Sequence, residues 1–114
     1  MNTQTAARIL VVGRHPTIMT RVRALLESAG YETLGTLTDE EALRALQSSP
    51  CDALLLGGGV ETSSRASLSE AFRAAKPGRP VIEHFGGPDG LLDHVRQALA
   101  SARGSGLVPS ERPR

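Results

Sequence analysis

Residues 8–30 read RILVVGRHPTIMTRVRALLESAG, and two patterns meet inside them. Arg8-Ile9-Leu10-Val11-Val12 is a short apolar run rich in β-branched residues, bounded by turn formers, and such a run reads as a buried strand. Gly13, Arg14, His15 and Pro16 interrupt it. Pro16 is suited to open a helix, because the N–H it lacks has no intrahelical partner there. Over residues 17–29 the apolar side chains Ile18, Val22, Leu25, Leu26 and Ala29 recur at helical spacing, and Gly30 is placed to end the helix.

The same alternation continues. Residues 31–37 read as a second strand, with Thr33 and Leu34 suited to it. Thr38-Asp39-Glu40-Glu41 has the form of a capping box with acids in the first turn, and Ala42, Leu43 and Leu46 give the helix that follows an apolar face. Residues 51–56 predict a third strand whose Ala53-Leu54-Leu55-Leu56 core is buried on both faces. Gly57-Gly58-Gly59 breaks it, and a polar loop through Ser63, Ser64 and Arg65 leads to a helix marked by Leu68, Ala71, Phe72 and Ala75. Residues 80–85 predict a fourth strand around Val81 and Ile82. Gly86-Gly87-Pro88 turns the chain, Asp89 is placed as a cap, and Leu91, Leu92, Val95, Leu99 and Ala102 define a last helix. Four strands alternating with four helices predict a three-layer α/β/α domain with a parallel sheet of about four strands. The expected division is a flexible N-terminus at 1–7, one domain at 8–102 and a flexible tail at 103–114.

Composition narrows the function classes. A chain of 114 residues fits one domain. The net charge of +1 supplies no general attraction to nucleic acid or anionic membrane, and Arg103, Arg112 and Arg114 form no dense basic cluster, so direct nucleic-acid binding is not expected. Cys51 is the single cysteine, which excludes an intramolecular disulfide and a site with several thiolates; it reads as a packing residue. No stretch approaches the ~18 apolar residues of a membrane span, and no apolar signal region opens the chain. A cytoplasmic location is the expectation.

Several segments together resemble the response-regulator receiver domain, the CheY-like (flavodoxin-like) fold. Arg8 to Val12 with its polar triplet and Pro16 resembles the first strand and acidic loop of that family. Residues 25–32 resemble its first helix running into its second strand, Asp39-Glu40-Glu41-Ala42-Leu43 its second helix, Pro50 to Leu56 its third strand and Arg79-Pro80-Val81-Ile82 its fourth. The likeness covers about residues 8–102. It implies two acidic residues after the first strand that hold Mg²⁺, where Gly13 and Arg14 stand. It implies a phosphorylated Asp at the end of the third strand, where Gly57 stands, and a Ser or Thr at the end of the fourth, where Glu83, His84 and Phe85 are nearest. Phosphoryl transfer needs a carboxylate nucleophile and a hard cation on oxygen ligands; glycine offers neither, and Arg14 repels a metal. Asp52 is no substitute, because it begins its strand, roughly 16 Å from Gly57 at ~3.3 Å per residue. The segment that would carry a fourth helix, a fifth strand and a lysine is missing, since the fourth strand runs through Gly86-Gly87-Pro88 into what resembles the family's last helix.

The expectation is therefore a phosphorylation-independent pseudo-receiver, not an enzyme, that works through protein contacts or dimerisation in bacterial signalling or transcriptional regulation, with no cofactor. The alternative is a sensor that binds a small anion at the C-terminal strand ends, through Gly13, Arg14, His15, Gly57, Gly58 and His84. His15 with Glu83 and His84 is a weaker idea for a metal, because adjacent Glu83 and His84 point to opposite sheet faces, and no metal site is expected. His94 reads as exposed. Val81, Ile82 and Glu83 are the candidate dimer edge, with uncovered apolar helix surface beside them and exchange of the last helix as a specific version.

Overall fold

The structure, a computed structural model, describes residues 7–84 and 90–107, without the side chains of 102–107. Its elements are β1 (Arg8–Val12), α1 (Pro16–Ser28), β2 (Glu32–Thr36), α2 (Asp39–Ser48), β3 (Ala53–Leu56), α3 (Thr62–Ala75), β4 (Val81–Glu83) and α4 (Leu91–Leu107). The strands form one parallel sheet in the order β2-β1-β3-β4. Strand order reverses between β1 and β3, so the loops after these two strands diverge and leave a crevice at their C-terminal ends.

The period-two alternation of the central strands builds two cores. Ile9, Val11, Ala53, Leu55 and Ile82 face Met19, Val22 and Leu26 of α1 and Leu91 and Val95 of α4. Leu10, Val12, Leu54 and Leu56 face the other way, onto Ala42 and Leu46 of α2 and Leu68 and Phe72 of α3. The expected three-layer α/β/α architecture is thus the observed one. The last helix shares a face with α1, and four strands and four helices are all that the described residues contain.

Element boundaries follow from where backbone hydrogen bonds go. Pro16 is the first residue of α1, and Gly30 follows its C-terminus at φ +99°, a left-handed conformation that glycine adopts without strain. Tyr31 N–H returns to Leu26 O, and Leu37 N–H donates to the Glu41 carboxylate. Both ends of the expected 31–37 strand are therefore spent on helix termini, and β2 is shorter. Thr38 Oγ1 accepts from Glu41 N–H, which completes the predicted cap of α2.

Several expectations need correction. Helix α3 begins at Thr62, so the polar segment around Ser63 and Ser64 is its first turn rather than a loop. In α1 the inward row is Met19, Val22 and Leu26, and Ile18, expected on that face, is 49% exposed. Helix α4 runs to Leu107, so the tail expected from residue 103 is helical over 103–107. Strand β4 is an edge, as expected, but the apolar surface expected beside it is not there: Leu68 and Phe72 are buried, and Ile18 and Leu43 are the exposed large hydrophobics among the described residues. Phe85, the Gly86-Gly87-Pro88 hinge and the Asp89 cap lie outside the described residues. No described helix is long and apolar enough to cross a membrane.

Candidate functional site

The C-terminal edge of the sheet gathers the loops after β1, β2 and β3, and Arg14 ties them together. Its Nε and Nη2 donate to Glu61 Oε1 at 3.2 and 2.9 Å, and Nη2 also reaches Asp39 Oδ1 at 2.6 Å. Its Nη1 donates to Leu37 O at 3.1 Å and Gly13 O at 3.2 Å. A guanidinium has five N–H donors, and all five are engaged. Asp39 opens α2 and Glu61 is the N-cap of α3, where acidic side chains also meet the positive ends of the helix dipoles. Ser64 Oγ donates to Asp39 Oδ2 at 2.6 Å, which accounts for the burial of a hydroxyl in the first turn of α3.

Charge follows this geometry. The hydroxyl of Ser64 and then the guanidinium of Arg14 hold the Asp39 carboxyl below its ordinary range. A backbone N–H at its own residue and then Arg14 do the same for Glu61. Desolvation works against the Arg14 charge, but the hydrogen bonds to Asp39 and Glu61 and the Coulomb attraction of both outweigh it and raise its affinity for the proton. One cation thus sits between two ionised carboxylates, and the cluster carries a single negative charge.

The expected anion site is therefore not assembled around Arg14, which has no N–H left for an incoming anion. Two of the glycine amides are also engaged: Gly13 N–H donates to Thr36 O at 3.0 Å and Gly57 N–H to Val12 O at 2.9 Å. Gly57 also lies close against β1, where a Cβ would stand 3.4 Å from Val12 O. Gly58 O accepts from Arg65 Nη2.

His15, Glu83 and His84 are not brought to one point. His15 is exposed, with its Nε2 3.6 Å from where a Cβ on Gly59 would lie. Glu83 faces α3, its Oε1 4.0 Å from Arg65 Nε. His84 faces α4, and its Nδ1 is 3.0 Å from His94 Nδ1. His94, expected to be exposed, is half-buried by this contact. One Nδ1 donates the proton that the other accepts. Among the described residues no group of three or more His, Cys, Asp or Glu is placed to hold a metal.

Asp52 lies at the opposite edge of the sheet. It accepts from Arg8 N–H at 2.8 Å and from Arg79 Nη1 at 2.5 Å, which leaves no route to the end of β3. Burial pushes the Cys51 thiol up, so it stays protonated and packs in the core.

Between α1 and α4 the crevice deepens into a cavity of about 290 Å³, lined by Val11, Met19, Val22, Leu55, Leu91 and His84 and rimmed by the Gly57-Gly58-Gly59 loop. Sequence reasoning found the glycine and histidine rim but missed the apolar interior, and it missed Asp39, Glu61 and Ser64 as partners of Arg14. A signal for those partners was present: in a parallel sheet the first turns of successive helices lie at the edge that holds Arg14, so acids at helix starts fall within its reach.

No family model matches the chain, and no curated protein matches it in sequence. Solved structures do match. A CheY-like response regulator receiver domain protein from Methanospirillum hungatei JF-1 superposes with a TM-score of 0.75 at 18% identity, over 89% of this chain and 99% of that one. A response regulator receiver protein from Sinorhizobium medicae WSM419 gives 0.74 at 14% identity, over 85% and 97%. The signal receiver domain of an HD domain-containing protein from Pseudomonas fluorescens Pf-5 gives 0.74 at 20% identity, over 88% and 99%. These likenesses, with the β2-β1-β3-β4 order and the helices on both faces, establish that the chain has the fold of the CheY-like receiver domains.

Proposed function

We propose that the chain is a phosphorylation-independent receiver module that works in the cytoplasm by protein–protein contact, in bacterial signal transduction or gene regulation, rather than by catalysis. The observation that carries this reading is the state of the strand ends. A receiver that accepts phosphate needs a carboxylate at the end of β3 and free carboxylates for Mg²⁺. Gly57 follows β3, and the carboxylates of Asp39 and Glu61 are bound to Arg14. Arg14 supplies as a fixed side chain the positive charge that a metal would bring, and it holds three βα loops in one arrangement. A surface fixed in this way suits constant binding better than switching.

The test is exposure of the chain to acetyl phosphate and Mg²⁺, followed by intact mass measurement. An unmodified mass is expected. A stoichiometric acyl-phosphate adduct would overturn the reading.

A further inference from the structure

The fold brings two of the chain's three histidines together. His84 follows β4, His94 lies in the first turn of α4, and their Nδ1 atoms are 3.0 Å apart. The ring centroids are 5.3 Å apart and the planes are tilted by 53°, so the two nitrogens meet head-on and the rings do not stack. Both rings are half-buried. On either side of His94 along the helix, Leu91 and Val95 enter the core that also holds Ile82 of β4. The contact is a polar fastening in an otherwise apolar joint between helix and sheet.

Counting protons shows what this fastening tolerates. A neutral pair makes one N–H···N bond. With one more proton, an imidazolium donates to a neutral imidazole and the same bond survives. With two more, each Nδ1 carries a hydrogen and neither offers a lone pair, while two like charges face each other at contact distance. Histidine is the side chain that gains charge in mildly acid solution. Among the described residues no carboxylate pairs with either ring to relieve a second charge. On β4, Glu83 turns to α3 and Arg65. On α4, Asp93 pairs with Arg96 in solvent. Helix α1 presents Ile18, Met19 and Val22 to the cavity beside His84, and β3 presents Leu55. At the rim of that cavity stand Arg14, bound to Asp39 and Glu61, and the exposed His15.

We propose that the His84–His94 pair is a proton-sensitive clasp. It holds the first turn of α4 against the end of β4 as long as the two rings share one extra proton or none. It lets go in acid, when both rings are charged, and the α4 face that carries Leu91 and Val95 loosens from the sheet. The released state binds one proton more than the closed one, so its population rises by up to about tenfold per pH unit. The device stands apart from the phosphorylation reading, since either can fail alone.

The test is amide hydrogen exchange of the whole chain at pH 7.5 and 5.0, with rates corrected for the intrinsic effect of pH. Protection at residues 94–98 of α4 is taken as a ratio to that of Leu10 and Leu54 in the central strands. In the wild type this ratio should fall at least about tenfold from pH 7.5 to 5.0. His94→Asn places near the Nδ1 position an amide that accepts from a charged His84 or donates to a neutral one, so the clasp should hold at both pH values and the ratio should stay level. His84→Asn should do the same and keeps the test open if His94→Asn does not fold. His15→Asn, at the exposed histidine, should behave as wild type. A wild-type ratio that does not fall would overturn the proposal. So would an equal fall in the two clasp variants, or loss of the fall in His15→Asn.

Discussion

Replacing Arg14 by alanine removes five hydrogen bonds at once, and the structure allows the loss to be sized. The two bonds to Leu37 O and Gly13 O go to carbonyls that water partly reaches, so together they contribute about 1 kcal/mol net. The pair with Asp39 is short, but that carboxylate is 41% exposed, and a screened pair of this kind contributes about 1 kcal/mol at most. The contact with Glu61 adds nothing to the sum, because its carboxylate is open to water. The expected loss is about 2 kcal/mol, which for a small domain lowers Tm by roughly 8–16 °C. Arg14→Lys keeps the charge but replaces a planar fork by a point cation with three donors, so it should recover about half. Urea unfolding of the three proteins, compared at constant m-value, gives the numbers. A loss below about 0.5 kcal/mol for Arg14→Ala, or full recovery by lysine, would refute the claim that the guanidinium geometry ties the loops.

Two further outcomes are expected. Ser64 and Arg14 hold the Asp39 carboxyl below its ordinary range, so its stabilisation is complete above about pH 4 and is lost as pH falls through the lower folded value. The stability gap between wild type and Arg14→Ala should therefore be constant from pH 8 to 5 and shrink below about 4; a gap that closes by pH 6, or persists undiminished at pH 2, contradicts the assignment. Among the described residues strand β4 is hydrogen-bonded on one side only, to β3, so its other edge should support pairing between two copies. Light scattering behind a sizing column should show more than the 12.0 kDa monomer at micromolar concentration, and a monomer unchanged on concentration would refute self-association.

Most of the fold was legible because the signals were local. Pro16 and Gly30 frame α1, Thr38 and Glu41 cap α2, and the unbroken Ala53–Leu56 run marks a strand buried on both faces. What was not legible depends on partners distant in sequence. Ser64 reads as loop solvation until Asp39 is brought to it across the α2–α3 interface. His94 reads as exposed until His84 arrives at the end of β4. The row of Ile18, Val22 and Leu25 fits a helix period as well as Met19, Val22 and Leu26 does, and only docking on the sheet chooses between them. Arg14 shows the same limit. Its place at the strand ends followed from the sequence, but the two carboxylates that pair with it come from 25 and 47 positions away.

The central claim, that the strand ends take up neither metal nor phosphoryl group, is tested most directly by amide NMR spectra of the full chain with Mg²⁺ and then with beryllofluoride added. The account predicts spectra that superpose at Gly13, Arg14, Gly57, Gly58 and Asp39 throughout. Saturable shifts at these residues, with Mg²⁺ alone or with Mg²⁺ and beryllofluoride together, would contradict it.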